Sequence, residues 1–142
     1  MSLVPRRGLL AISSVLDIAL GAGERPTSAR ALAERYHLAP RHLEPILQKL
    51  VHVGILKGIR GPRGGYEMGR APAEVTLDDI LKAAVEPEED ASAPTFRKST
   101  VIGQIVMPAL DEAENTMSRA LRAVTIATMV NKVRAEGISA TE

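Results

Sequence analysis

The sequence predicts a mainly α-helical fold with one small β-hairpin. Apolar residues recur at helical spacing in several segments, and a dense run of glycine, proline and arginine at residues 61–65 separates two short β-compatible stretches. Aromatic residues are scarce, with two Tyr, one Phe and no Trp in 142 residues, so the core must consist of aliphatic side chains. The order helix, helix, turn, helix, hairpin is that of a winged helix-turn-helix domain.

The first two predicted helices are short and separated by a glycine-containing turn. Residues 7–21 form an amphipathic helix that ends at Gly21-Ala22-Gly23. Ser28 is a favourable N-cap for a second helix that extends to Tyr36 and buries Ala29, Leu32 and Ala33. The apolar positions of the first helix lie near the 3.6-residue period and are Leu9, Ile12, Leu16, Ala19 and Leu20.

The third predicted helix, residues 40–53, has the clearest apolar pattern. Pro40 is favourable at a first helical position, and Gly54 ends the helix. Pro45 conflicts with the pattern, because a proline inside a helix removes a hydrogen bond and costs roughly 3 kcal/mol. We expect either a kink or a helix that effectively begins near Glu44. The apolar positions are Leu43, Ile46, Leu47, Leu50 and Val51.

The remaining elements complete a hairpin and a helical C-terminal part. Residues 55–60 and 66–68 are the two predicted strands, and Thr76-Leu77-Asp78-Asp79 resembles a capping box that begins a helix to about Val85. We therefore predict a winged helix-turn-helix DNA-binding domain at residues 1–86, a flexible loop at 87–100, and a dimerisation helix with a short terminal helix at 101–142.

The long C-terminal helix has an apolar stripe that fits a partner helix. Pro108 marks its start or a kink within it, and Thr125 caps the terminal helix, which has Ile126, Met129, Val130 and Val133 on one face. The stripe consists of Leu110, Ala113, Met117, Leu121 and Val124.

Composition narrows the possible functions. Residues 1–70 hold eleven Lys and Arg against five Asp and Glu, a net charge of +6, whereas residues 71–142 have a net charge of −5. A basic half on a nearly neutral chain is typical of a nucleic-acid-binding domain, with a chance division of solvated charge as the alternative. Without cysteine the chain has no disulfide, no Cys nucleophile and no thiolate-held cluster.

Other classes find no support in the sequence. No apolar run reaches 18 residues, so we expect no membrane span and a cytoplasmic protein. We expect no enzyme, because no Ser/His/Asp pattern, paired-carboxylate context or phosphate-binding loop is present. We expect neither a cofactor nor a metal, since the three histidines, His37, His42 and His52, lack a shared-face spacing.

The candidate DNA-binding residues lie on three predicted elements. On the third helix, Arg41, His42, Glu44 and Gln48 lie opposite the apolar stripe, where Arg41 fits a guanine and Glu44 a cytosine amine. The alternative for Glu44 is a solvated surface charge. The wing carries Arg60, Arg63 and Gly64, which fit a phosphate or the minor groove or else form an ordinary turn. Thr27 and Ser28 begin the second helix, where binding a phosphate and simple capping are both possible.

Several motifs resemble the BadM/Rrf-type winged helix-turn-helix transcriptional regulators of bacteria, the family of IscR, NsrR and CymR. The resemblance begins at Arg7-Gly8 and is most specific in the wing. Its motifs are Leu43-Glu44 with the apolar stripe that follows, Gly54-Ile55-Leu56-Lys57, Arg60-Gly61-Pro62-Arg63-Gly64-Gly65-Tyr66, Thr76-Leu77-Asp78-Asp79-Ile80, and Leu121 to Ile126.

The resemblance implies a homodimer in which a long helix from each subunit crosses the other and two winged domains face one DNA duplex. We expect a sequence-specific regulator of a two-fold symmetric operator, a repressor or an activator, with repression preferred. Cluster-binding members of the family hold a 2Fe–2S cluster with cysteines in the loop before the dimer helix, so this cysteine-free chain is expected to lack one. The effector is not indicated. The alternative is a dimeric adaptor that has lost specific DNA binding, and a strongly salt-dependent DNA affinity would distinguish the two.

Overall fold

The structure is a computed structural model and describes residues 3–85 and 100–138. Most of the predicted loop at 87–100 lies outside these ranges. Within them the predicted mainly α-helical fold with one antiparallel hairpin is confirmed. The elements are α1 (Arg6–Leu20), α2 (Ala29–Arg35), α3 (Pro40–His52), β1 (Leu56–Ile59), β2 (Gly65–Met68), α4 (Leu77–Ala84), α5 (Met107–Arg122) and α6 (Ile126–Glu136).

Helix α1 buries a different face from the predicted apolar stripe. Leu9 is 60% exposed, and the rest of the stripe, apart from the buried Ala19, is only partly buried. A Cβ on Gly8 would lie 2.5 Å from Leu81 Cδ2 of α4, so the small residue allows the two helices to pack closely. The prediction was wrong here because it weighed side-chain size above close helix packing. The buried residues are Gly8, Ala11, Ser14, Val15, Ile18 and Ala19.

Helices α2 and α3 form the predicted helix-turn-helix. His37 adopts a left-handed conformation (φ 57°) in the tight link between them, and α3 begins at Pro40. Helix α3 continues through Pro45, so the alternative start near Glu44 is wrong. Four of the five predicted apolar positions are buried, each contributing about 1.5–3 kcal/mol, which outweighs the roughly 3 kcal/mol cost of the proline. They are Leu43, Ile46, Leu47 and Leu50.

A polar cluster fixes α2 against α1. The Tyr36 hydroxyl donates a hydrogen bond to Asp17 of α1, and Arg35 Nη1 lies 3.2 Å from the other carboxylate oxygen. Burial raises the pKa of Tyr36 well above its ordinary value, and the hydrogen bond to Asp17 raises it further, so the phenol remains a donor. The cluster therefore helps to set the position of α2, against which α3 packs.

The hairpin is joined to the start of α2. In the hairpin, Leu56 pairs with Met68 and Ile59 with Gly65. On its other edge, Tyr66 exchanges two backbone hydrogen bonds with Thr27, at 3.0 and 2.8 Å. A Cβ on Gly65 would lie 2.6 Å from the Thr27 carbonyl, so only glycine permits this close approach. Because an isolated two-stranded hairpin is marginal in water, this attachment supports the wing.

The C-terminal helix shares the core of the winged part. Ile126 is fully buried, and its backbone nitrogen donates to the Val75 carbonyl at 2.9 Å. Thr125 caps α6 as predicted, by accepting from the Thr128 nitrogen at 3.1 Å. The division of the chain into domains stays a prediction, but α6 packs on α1 and so is not detached from the first part.

Helix α4 links the winged part to α5. The predicted capping box between Thr76 and Asp79 is present, with both hydrogen bonds at 3.1 Å. The buried Asp78 accepts from Ser118 Oγ of α5 at 2.7 Å and lies 2.8 Å from Lys82 Nζ. Pro108 occupies the first turn of α5, directly after a π-helical segment at Ile102–Val106. No helix among the described residues is long and apolar enough to cross a membrane.

Candidate nucleic-acid interface

The exposed face of α3 carries three polar side chains in one row. Arg41, Glu44 and Gln48 follow the spacing i, i+3, i+7 and lie within about 60° of one another around the helix. All three are exposed, and the buried apolar stripe faces the opposite way. Pro45 is also exposed on this face and adds no hydrogen-bond donor. We call Arg41, Glu44 and Gln48 the reading face.

His42 does not belong to the reading face. It lies about 100° around the helix from Arg41, and it lines a pocket whose other residues include Arg6 and Arg7 of α1. The sequence placed His42 with the other three because all four positions avoid the apolar stripe. The structure shows that it borders α1 instead.

The end of the wing presents two arginines around a tight turn. Arg60 and Arg63 are both exposed, and neither forms an ion pair with any described residue. The Gly64 nitrogen donates to the Gly61 carbonyl at 2.9 Å, and Gly61 has a φ of 112°. A Cβ on Gly64 would lie 2.2 Å from the Ile59 carbonyl oxygen, so glycine is required there. The turn therefore offers two free guanidinium groups beside exposed backbone.

Tyr66 connects the wing to the reading face. Burial raises the pKa of its hydroxyl, and the nearby Glu44 carboxylate raises it further, while a hydrogen bond with the Gln48 side chain opposes the shift. The sequence reasoning missed this residue as part of the site. The alternation in β2 was the available signal, because Tyr66 and Met68 pack on the core while Glu67 is exposed.

Thr27 and Ser28 have structural roles in the fold. Ser28 Oγ accepts from the Ala31 nitrogen at 3.0 Å and so caps α2, while the Thr27 backbone holds the wing. Capping is therefore present at this helix start. Whether these residues also bind a DNA phosphate stays a prediction, and the two roles are compatible.

The charges suit a polyanion. Arg30, Arg35 and Lys82 are engaged in ion pairs, whereas the reading face and the wing hold cations without a carboxylate partner in the described part of the chain. Arginine matches the O6 and N7 acceptors of guanine, and a carboxylate accepts from the cytosine amino group. Free guanidinium groups on a glycine-rich turn also suit phosphates.

The residues present do not fit an iron–sulfur cluster. The 142-residue chain contains no cysteine to supply thiolates. Across residues 3–85 and 100–138, no group of three His, Cys, Asp or Glu side chains is placed to hold a metal ion.

A helix-turn-helix with an exposed polar reading face, flanked by a basic hairpin, defines a winged helix-turn-helix DNA-binding protein. Comparison with known families narrows this class. The family model described as "Rrf2: Iron-dependent Transcriptional regulator" matches residues 4–132. The chain belongs to the Rrf2 family of transcriptional regulators, and the resemblance noted in the sequence is confirmed.

Relatives of known sequence are helix-turn-helix regulators. An HTH-type transcriptional regulator of Haemophilus influenzae is 38% identical over 80 residues, which cover 56% of this chain and 53% of that protein. The chain therefore spans about half the length of that relative. A Synechocystis regulator is 29% identical over 123 residues, covering 87% of this chain and 84% of the relative. CymR of Bacillus subtilis is 31% identical over 84 residues, covering 59% and 61%.

Solved structures share the fold over nearly the whole chain. The structure of CymR, the global cysteine regulator of B. subtilis, matches with a TM-score of 0.69 at 25% identity, covering 93% of this chain and 98% of that one. The T. potens IscR structure matches with a TM-score of 0.72 at 21% identity, covering 97% and 93%. The winged helix-turn-helix fold predicted from the sequence is thus confirmed.

Proposed function

We propose that this chain is a homodimeric, sequence-specific regulator that represses transcription from a two-fold symmetric operator and acts without an iron–sulfur cluster. One observation carries the proposal: the exposed reading face on α3 lies beside a basic wing that is fixed to the same helix-turn-helix. Its family membership supports DNA binding, and such a protein would act in the cytoplasm, where bacterial DNA lies.

Base reading is assigned to α3. In a helix-turn-helix, the second helix lies in the major groove and its N-terminal side chains reach the base edges. Arg41 and Glu44 are in this part of α3 and are exposed, and each good base contact discriminates by about 1–3 kcal/mol. Phosphates repel a carboxylate, which favours a base contact for Glu44. Gln48 is exposed and extends the same row.

The wing is assigned to the DNA backbone. Arg60 and Arg63 are exposed and form no ion pair within the described residues. They can therefore bind a phosphate without breaking an ion pair inside the protein. Because the Thr27–Tyr66 bridge fixes the hairpin, the arginines are held at a set distance from α3. Such contacts set the register of the protein on the duplex but carry no sequence information themselves.

Dimerisation is assigned to α5. No residue of this 16-residue helix is buried, and Leu110 on its apolar stripe is 55% exposed. The stripe becomes more covered towards the C-terminal end, where Met117 and Leu121 are partly buried. Its N-terminal half therefore has an apolar surface free for a second copy, at least as far as the described residues extend. A crossed pair of such helices places two winged domains on one duplex.

Repression is proposed from steric exclusion, and action without a cluster is proposed from the lack of cysteine. A dimer that covers a promoter excludes other proteins from the same DNA, which is the reason for proposing repression. The donor set offers no thiolate, so the iron dependence in the description of the family is not extended to this chain.

Leu110→Glu tests the dimer. A carboxylate at this stripe position would be buried against the partner, so we expect the variant to sediment as a folded monomer while the wild type sediments as a dimer. Ala109→Glu is the matched control, because Ala109 is exposed about 100° away from Leu110 on the same helix. A Leu110→Glu protein that remains dimeric would exclude α5 as the interface.

A further inference from the structure

An open pocket of about 210 Å³ lies beside the helix-turn-helix. Arg6, Arg7 and Leu10 of α1 form one side, Leu38 of the α2–α3 link and His42 of α3 the other. Two exposed arginines and an exposed histidine thus line this pocket beside two leucines, and none of its lining residues in the described part of the chain is acidic. This is the chemistry of a site for an anion.

Helix stability does not explain the two arginines. They occupy the first turn of α1, which holds no acidic residue, and cations at a helix N-terminus are unfavourable because of the helix dipole. Pro5 precedes the helix and supplies no side-chain cap to the first backbone N–H groups of α1. Neither arginine forms an ion pair with a described residue. An anion would relieve all of these conditions together.

The pocket adjoins the reading face. His42 follows Arg41 directly on α3, and Ala39, the N-cap of that helix, supplies no side-chain cap. An anion in the pocket therefore lies on the flank of the N-terminal turn of α3. That turn is the part of a recognition helix that enters the major groove, and a sugar-phosphate strand borders the groove on each side.

We propose that this pocket binds one phosphate group of the DNA backbone and thereby fixes how α3 sits in the groove. The assignment rests on the proposed DNA-binding function. In this assignment His42 lines the phosphate site and does not contact a base. Because a phosphate contact carries no sequence information, the pocket contributes affinity and register rather than base preference.

The first test measures how the affinity of the full chain for its selected duplex depends on salt, for the wild type and Arg7→Ala. Removing one phosphate contact per subunit lowers the slope of log K against log salt by about 0.9 per contact, or about 1.8 for a dimer. The selected base preferences should not change. Arg7→Lys should keep most of the slope, and Lys132→Ala on the exposed surface of α6 is the control. An unchanged slope in folded Arg7→Ala overturns the proposal.

A second test separates a DNA phosphate from a free anion. Neutral methylphosphonates are placed one at a time along the half-site, and we expect one position to weaken the wild type without further weakening Arg6→Ala/Arg7→Ala. Saturable binding of inorganic phosphate to the DNA-free protein, lost in the double variant and without any methylphosphonate coupling, would reassign the pocket to a free anion. If the wild type binds DNA but shows neither methylphosphonate coupling nor phosphate binding, the proposed role of the pocket is overturned while the proposed function stands. Wild-type protein that binds no DNA overturns the proposed function as well.

Discussion

Replacement of Arg63 by alanine isolates the contribution of the wing. Arg63 is exposed at the hairpin turn and has no ion pair with a described residue, so its loss breaks no contact that holds the fold. The hairpin is anchored through Tyr66 and Thr27, which the substitution leaves in place. The variant should therefore keep its stability and lose only a positive charge at the DNA.

The expected size of the effect follows from counterion release. Each phosphate contact contributes about 0.9 to the slope of log K against log salt, so a dimer without both Arg63 contacts loses about 1.8. When salt is raised from 50 to 200 mM, the fold-loss in affinity of the variant should thus be about 12 times smaller than the fold-loss of the wild type. At low salt, the variant should bind all duplexes more weakly, whatever their sequence.

Fluorescence anisotropy with a labelled duplex measures both slopes directly. Arg63→Lys should retain most of the slope because it keeps the charge, and Lys132→Ala on α6 provides a control for loss of an exposed charge away from the interface. A slope for Arg63→Ala that equals the wild-type slope would show that the wing arginine is only a solvated surface charge.

Three further predictions concern single side chains. Glu44→Ala should relax base preference at one position per half-site while the salt slope stays the same; an identical set of selected sequences would make Glu44 a plain surface residue. Tyr66→Phe keeps the ring but removes the hydroxyl that lies near Glu44 and Gln48. If that hydroxyl positions Gln48, discrimination at the neighbouring base pair should fall by about 0.5–1.5 kcal/mol in competition binding, and unchanged discrimination would contradict this positioning role. For Asp78, burial alone would raise the carboxyl pKa, but hydrogen bonds from Lys82 and from Ser118 of α5 lower it overall. The ionised carboxylate therefore stabilises the fold at pH values above the unfolded-state pKa of about 3.9. This stabilisation is lost as the pH falls through the lower pKa of the folded state. Asp78→Asn should therefore lose less thermal stability than the wild type between about pH 5 and pH 2, and parallel loss in both proteins would count against it.

The sequence predicted those elements whose signals are local. The stripe on α3, the capping box at Thr76 and the glycine-rich wing each depend on residues close together in the chain, and each is present. The face of α1 was predicted wrongly, because Gly8 matters only through its approach to α4, which no local pattern records.

The candidate site was predictable to the same extent. The row of Arg41, Glu44 and Gln48 follows from helical periodicity alone. The placement of His42 against α1 and of Tyr66 against α3 depends on how separate elements pack together. Those two assignments needed the tertiary structure.

The family relationship does not determine how this chain is regulated. The relatives include CymR and IscR proteins, and the present chain shares their fold while lacking cysteine altogether. The reading face and the pocket beside α1 lie on or next to the helix-turn-helix, and the wing is joined to it through Thr27 and Tyr66.

Selection from random duplex DNA with the purified protein, followed by sequencing of the bound pool, tests the central claim most directly. The account predicts a two-fold symmetric motif whose half-sites lie about one helical turn, or roughly 10 base pairs, apart. Absence of any enriched sequence at low salt would contradict sequence-specific binding by this protein on its own and favour a dimeric adaptor that has lost it.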